Sequence, residues 1–298
     1  MSQLFENLVI GLSLGCIYAL IAMGFVIVFK ATNVVNFAHA SVLMLGAYLV
    51  AVWHDDLGFA GALAAAALAC AVAAALIDLV LVRPLVRRGG GIDALAILTI
   101  GVNILLATEL TRRVGTDILQ TGAPWGSETV SFLGITVPQT RIAAAVCAVA
   151  LMLAFWAAFR FSDWGVAMRS TAADPQTAAL MGIRLSRVAM GAWAVSGLLA
   201  AVAGAFFTSF PASGVSTTTY LLALTAIPAA VLGGLDSTAG AVVGGLVVGV
   251  AVTLTAGYQD ELSFLGRGLS EVVPYVVLLL VLLWRPSGLF GTREVTRV

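Results

Sequence analysis

The sequence predicts an all-α polytopic membrane protein of about eight to ten transmembrane helices, some of them broken or re-entrant. Three observations carry this. Of 298 residues, 61% are apolar and only 10% are charged, whereas soluble domains carry about a quarter charged residues. The apolar residues fall into runs near 20 residues, the length that crosses a bilayer core of ~30 Å at ~1.5 Å per residue. Most of these runs lack the polar face that a soluble helical bundle would need. Glycine, at 31 residues, and alanine are abundant, which suits helices that approach closely through small side chains.

The spans follow in order. Residues 8–29 form the first, closed by Lys30. It begins after Glu6 rather than a basic stretch, so it reads as a retained span and not a cleaved signal. Residues 34–53 follow, with Asn36 and His39 interrupting the apolar run near its start. The third is 59–82, ending at Arg83-Pro84; the fourth is 92–111, closed by Arg112 and Arg113; the fifth is 142–161 and the sixth 188–207. Residues 220–235 are short and broken by Pro228, 239–258 are glycine-rich, and 269–284 end at Arg285-Pro286. The second and seventh of these nine segments are expected to be half-helices or re-entrant, and Pro228 and Pro274 are expected to kink their helices.

Basic residues set the orientation. With 83–91, 162–187 and the tail from 285 facing the cytoplasm, eleven of the fifteen basic residues lie inside: Lys30, Arg83, Arg87, Arg88, Arg160, Arg169, Arg184, Arg187, Arg285, Arg293 and Arg297. Arg112, Arg113, Arg141 and Arg267 are left outside, beside Asp55, Asp56, Asp117, Glu128, Asp260 and Glu261. The C-terminus is thus expected inside and the N-terminus outside. Two outer stretches are long. One, 112–141, holds Gly122, Pro124, Trp125, Gly126, Gly134 and Pro138 around a β-like run at 129–137. The other is 208–219. Each reads as a solvated cap or as a docking rim for an external partner.

The inner loop 162–187 reads SDWGVAMRSTAADPQTAALMGIRLSR. Asp174 can cap a helix whose first position suits Pro175. Residues 176–181 then give one to two turns, and Gly182 suits a left-handed stop. Ala178, Ala179, Met181 and Ile183 make an apolar stripe. So short a helix needs something to pack against, either the lipid surface or the groove of a cytoplasmic partner.

Other constellations exclude more than they assign. Net charge is zero, which gives no basis for nucleic-acid binding. Cys16, Cys70 and Cys147 lie in apolar runs without metal-ligand spacing and read as small core residues. No G-x-x-x-x-G-K-[ST] loop is present and Lys30 is the sole lysine, so ATP, if used, is hydrolysed on another polypeptide. No catalytic Ser/His/Asp or Cys/His arrangement is evident; His54 beside Asp55 and Asp56 reads as a solvated turn, and no metal site is expected. Asp78 and Glu109, near Arg83 and Arg112–Arg113, read as screened pairs at span ends. Glu271 sits in the first turn of the last span, where the helix dipole favours an anion. None marks a midplane ion-coupling site. Asn36 and His39 either cap and bridge neighbouring helices or line a pathway at a helix break, and Asn103 is a further candidate for that pathway. Gly11/Gly15, Gly240/Gly244 and Gly245/Gly249 form G-x-x-x-G pairs expected to pack helices.

The loop resembles the coupling segment of ATP-binding-cassette (ABC) import permeases, most closely the branched-chain amino acid permease family. Further stretches carry the likeness. LSLGCIYALIAMGFVIVF (12–29) with NVVNFAHASVLMLGAY (33–48) resembles that family's N-terminal signature, AVLGGLDSTAGAVVGGLVVG (230–249) its glycine-rich signature, and LWRPSGLFG (283–291) its terminal motif. Ala40 departs from the glycine usual after the histidine. The resemblance implies one transmembrane permease domain over 1–298, in a bacterial inner membrane. It would pair with a homologous permease, two cytoplasmic ATPase subunits that hold ATP and Mg, and a periplasmic substrate-binding protein. Branched-chain or related amino acids would be the cargo. Urea and short amides, aromatic acids or sugars remain alternatives within the class, and a stand-alone secondary transporter or channel and an intramembrane enzyme outside it. Asp174, Pro175, Ala178, Ala179, Met181 and Gly182 would couple to the ATPase.

Overall fold

A computed structural model describes residues 2–122, 124–125, 128–132, 135–209, 214–217, 219–261, 266 and 268–291. Gly126, Gly134, Arg267, Arg293 and Arg297, with 210–213 and 218 of the second outer stretch, lie outside the described residues. The helices are α1 (Ser2–Thr32), α2 (His39–Ile77), α3 (Arg83–Arg87), α4 (Ile92–Val114), α5 (Gln139–Phe161), α6 (Asp163–Ala173), α7 (Pro175–Leu180), α8 (Leu185–Ser209), α9 (Thr219–Leu224), α10 (Ile227–Gly233), α11 (Thr238–Gly257) and α12 (Leu269–Trp284). A π segment, Asp78–Val82, joins α2 to α3. The β-like run is an antiparallel hairpin of β1 (Thr129–Phe132) and β2 (Ile135–Pro138), with Val130 opposite Val137.

Among the described residues, six helical stretches are long and apolar enough to cross a membrane. One of them, His39–Arg87, has 49 residues, or about 74 Å of helix at ~1.5 Å per residue, more than twice the hydrocarbon core. It turns at Gly58, whose φ of 67° and ψ of 165° an L-residue side chain would resist. The two arms of α2 are therefore separate crossings. The shorter apolar α12 and the broken pair α9–α10 complete the set read from the sequence. The second predicted segment is interrupted where expected, residues 33–38 being non-helical. In the seventh, the break falls at Thr225–Ala226, and Pro228 stands in the first turn of α10, where its missing N–H costs nothing. Pro274 lies inside α12, which runs on as one helix.

α1 is the hub, with 89% of its most apolar window buried. Glycines let its neighbours approach. A Cβ on Gly11 would come within 2.8 Å of the Val250 Cα, and one on Gly15 within 2.8 Å of the Leu246 Cα. From the other side, Gly245 abuts Ala19 and Gly249 abuts Gly15, so α1 and α11 interdigitate backbone against backbone. Gly240 and Gly244 instead press α11 onto the Gly233 and Ala229 carbonyls of α10. Gly46 against Ala201, and Gly204 against the Leu43 carbonyl, do the same for α2 and α8. Van der Waals packing of this kind holds helices together where lipid removes any hydrophobic incentive.

Contacts sort the span ends into two groups. At one end, Lys30 lies in the field of Asp236 and Arg169, and Arg83 donates to the Ser186 carbonyl. At the other, Arg141 donates to the Ile10 carbonyl, Thr121 bonds Ser209, and Leu119 bridges to Val215. Trp125 stacks on Phe206 and meets Phe59 edge-on there, so the hairpin loop folds over that end. One sequence expectation is corrected in part here. Asp78 does pair with Arg83, accepting from its Nε at 2.9 Å, but at 1% exposure it is buried and not screened. Glu109, by contrast, pairs with Arg112 and Arg113 on the surface.

Candidate functional site

The 162–187 loop folds into two helices. Ser162 caps α6, its hydroxyl accepting from the Gly165 N–H at 3.1 Å. Asp174 caps α7, accepting from the N–H groups of Gln176 and Thr177 and from the Thr177 hydroxyl. The Thr177 hydroxyl, then its N–H, then that of Gln176 hold the Asp174 carboxyl below the usual carboxylate range. A depressed pKa makes this cap a source of stability above the unfolded carboxylate range, lost only as acid protonates the folded group. Pro175 takes the first helical position. At the far end, Gly182 adopts φ 86°, its N–H bonds the Ala179 carbonyl, and the Ile183 N–H reaches Ala178. That pair of bonds is a Schellman stop.

The caps fix which residues face outward. Ala178 is buried and Ile183 half-buried, so these two of the predicted stripe close on the protein itself. Ala179 and Met181 are exposed, Met181 at 79%. Leu180, 87% exposed, projects furthest, and sequence reasoning missed it because the helical phase is set by the stop at Gly182. α6, also missed although Ser162-Asp163 signals its start, is wedged against its neighbours. Gly165 abuts the Phe159 carbonyl, and Trp164 covers Gly191 of α8. The Phe159 ring lies between Lys30, 5.1 Å from its centroid, and the Arg169 guanidinium at 5.4 Å. α6 thus packs α7 onto α1, α5 and α8.

The second candidate region is the α1–α2 break. Asn33 turns the chain with φ 54°, a conformation asparagine tolerates. Asn36 Oδ1 then accepts from the Ala38 N–H at 3.1 Å. α4 supplies the remaining partners from one face. Thr99 Oγ1 accepts from the Phe37 N–H at 3.3 Å, and Asn103 Oδ1, one turn on, accepts from the Ser41 N–H at 3.1 Å. Broken backbone inside a membrane needs such partners. Thr99 was legible as the other half of a polar i, i+4 pair in an apolar span. Thr99→Val keeps the shape and strands the Phe37 N–H, so it is expected to cost about 1–3 kcal/mol, read as a lower midpoint of heat inactivation in detergent.

Asn36 and His39 are 2% and 1% exposed and sit between helices of this one chain. His39 Nδ1 bonds Ser196 Oγ at 3.0 Å, while its ring packs on Phe25 at 4.6 Å and against Gly24. Its other nitrogen faces α1 near the Ile21 carbonyl without a well-formed hydrogen bond. Of the three pathway candidates, Asn103 borders an open cleft of about 290 Å³, with Thr108 and Thr111 of α4 and Thr217 and Tyr220 beside α9. Among the described residues no group of three or more His, Cys, Asp or Glu side chains converges on a metal position.

Known proteins resemble the chain over nearly its full length. The family model described as "Branched-chain amino acid transport system / permease component" matches residues 7–282. The high-affinity branched-chain amino acid transport system permease protein LivH of Salmonella typhimurium is 34% identical over 97% of this chain and 96% of its own. The permease protein BraD of Pseudomonas aeruginosa, of the same description, is 32% identical over 98% and 97%. A probable LivH of Methanocaldococcus jannaschii is 26% identical over 91% and 88%. No solved structure matches significantly.

Proposed function

Because this chain belongs to the branched-chain amino acid transport system permease family, we propose that it is a membrane permease subunit of an ABC importer for branched-chain or related amino acids. It pairs with a homologous permease, receives cargo from a periplasmic binding protein and is driven by two cytoplasmic ATPases that hold ATP and Mg. The observation that carries this is α7. A six-residue helix is fixed at both ends and holds Leu180 and Met181 almost wholly out of the protein, at the end where Lys30, Arg83 and Arg169 gather. Basic residues favour the cytoplasmic side, and that rule supports a cytoplasmic α7 and C-terminus. An exposed apolar tip on a rigid stem fits a groove in a partner.

The cargo path runs along the α4 face that carries Asn103, Thr108 and Thr111, between this permease and its partner. These are neutral hydrogen-bonding groups on a helix only 22% buried within this chain, a polar face that lipid would not favour. Asn36 and His39 shape the break behind that face and do not touch the cargo. Alternating access follows: closure of the ATPases moves α7, and the spans rock to the outward-open state. A permease that must release its cargo gains nothing by binding both states equally, and weak neutral contacts meet that need.

Reconstitution tests the reading. Liposomes holding both permeases and both ATPases are expected to take up labelled leucine only with ATP and the loaded binding protein. Uptake by this chain alone, without ATP, would instead mark a stand-alone carrier.

A further inference from the structure

Resting on that reading of α7, we propose that Arg83 is the positioning residue that passes the movement of α7 and α8 to the α2–α4 turn, and so to the path face of α4. Its guanidinium makes two bonds in different directions. Nε donates to Asp78 Oδ2 at 2.9 Å, and Nη2 donates to the Ser186 carbonyl at 2.6 Å. Ser186 is the second residue of α8, a few residues past the Gly182 stop. Asp78 opens the π segment at the inner end of α2. Among the described residues this is the one hydrogen bond that joins 78–91 to 162–190.

Deeper in, α8 packs on the same elements through Trp193, which clusters with Ala74, Val82 and Leu95, and Arg83 adds a directional bond at the inner end. A cleft of about 360 Å³ opens at this end, lined among others by Val34, Val82, Leu95, Thr171, Pro175 and Ala189. At this inner end the guanidinium is the polar contact that bridges the cleft. The Asp78 side chain is 2% exposed and that of Arg83 17%. In a pair so buried, desolvation offsets most of the attraction, while losing one partner is costly. Such a pair is a poor source of stability and a good rigid connector. A π segment carries one residue more per turn than an α-helix and is a common local feature of functional sites. Here it marks where the inner end of α2 can yield when Ser186 pulls on Arg83. α3 and the start of α4 follow directly, so displacement of the π segment shifts the inner end of the proposed path.

Arg83→Lys tests this in the complete complex, because one ammonium cannot satisfy Asp78 and Ser186 with the geometry of a planar fork. The double variant Asp78→Leu/Arg83→Leu removes the link without stranding a buried charge. Both are measured in nanodiscs or liposomes with labelled leucine and the loaded binding protein, reading uptake per ATP hydrolysed. Both variants are expected to assemble and hydrolyse ATP in response to the loaded binding protein, with uptake per ATP down about tenfold. The proposal falls if either assembled variant keeps the wild-type ratio, or if uptake and hydrolysis decline together in step with lost complex. Should Arg83→Lys fail to assemble, the double variant decides. A wild-type complex that hydrolyses ATP without importing leucine would sink the importer reading itself, a result distinct from any change in the ratio between variants.

Discussion

Leu180→Asp is expected to reduce ATP-driven uptake on the order of a hundredfold or more while the permease stays inserted and paired. Leu180 is 87% exposed at the tip of α7, so nothing in the permease depends on it for packing. A buried leucine in a partner groove is worth roughly 1.5–3 kcal/mol. An aspartate in its place loses that and adds the cost of desolvating a charge, so the combined penalty exceeds the ~1.4 kcal/mol of a tenfold change several times over. Met181→Asp should act in the same way, and Ala178→Asp differently, since Ala178 is buried against the permease itself. Co-purification of the ATPases and leucine uptake in liposomes separate the two. Normal ATP hydrolysis in response to the loaded binding protein in Leu180→Asp would remove α7 from the coupling role.

Gly249→Val is expected to have the other large effect, on folding. Its new side chain would fall on the Gly15 backbone of α1, and the nearest neighbour is main chain that cannot swing aside. Overpacking a tight core costs about 1–3 kcal/mol, and more where backbone must part. Because α1 is surrounded, parting it from α11 also disturbs its contacts with α8 and α10. Folded permease recovered from membranes should fall about tenfold, as that penalty converts at ~1.4 kcal/mol per decade. Gly101→Val is the control, since a Cβ there meets nothing within 4 Å. Equal yields of the two proteins would contradict the close crossing.

The sequence carried the spans well because each is a long apolar run, and runs need no partner to be recognised. It also carried the ends of α7, because Asp174-Pro175 and Gly182 act through local backbone geometry. Tertiary facts were less legible. Gly11, Gly15, Gly245 and Gly249 signal that some helix comes close, yet not that α1 and α11 face one another, nor that Gly240 and Gly244 turn to α10. The Asp78–Arg83 pair was legible from its place at a span end, whereas the π segment and the burial of Asp78 depend on the neighbouring helices. Thr99 and Asn103 stand out as a polar pair in an apolar span, yet that they bond the Phe37 and Ser41 N–H groups shows only when the α1–α2 break is laid against them. Which side of α7 faces out depends on Ala178 and Ile183 closing on the protein, a choice that periodicity over six residues leaves open.

The glycine crossing also bears on how the molecule is made. α1 emerges first, but the helix its glycines fit, α11, starts only at Thr238. At roughly 5–20 residues per second, α1 waits about 10–40 s for that partner. During the interval a helix apolar on every side rests in lipid as comfortably as it later rests in protein. A chain stopped before α11 is complete would therefore leave α1 inserted yet unclaimed, its bare glycine stripe open to whatever helix of another protein drifts past.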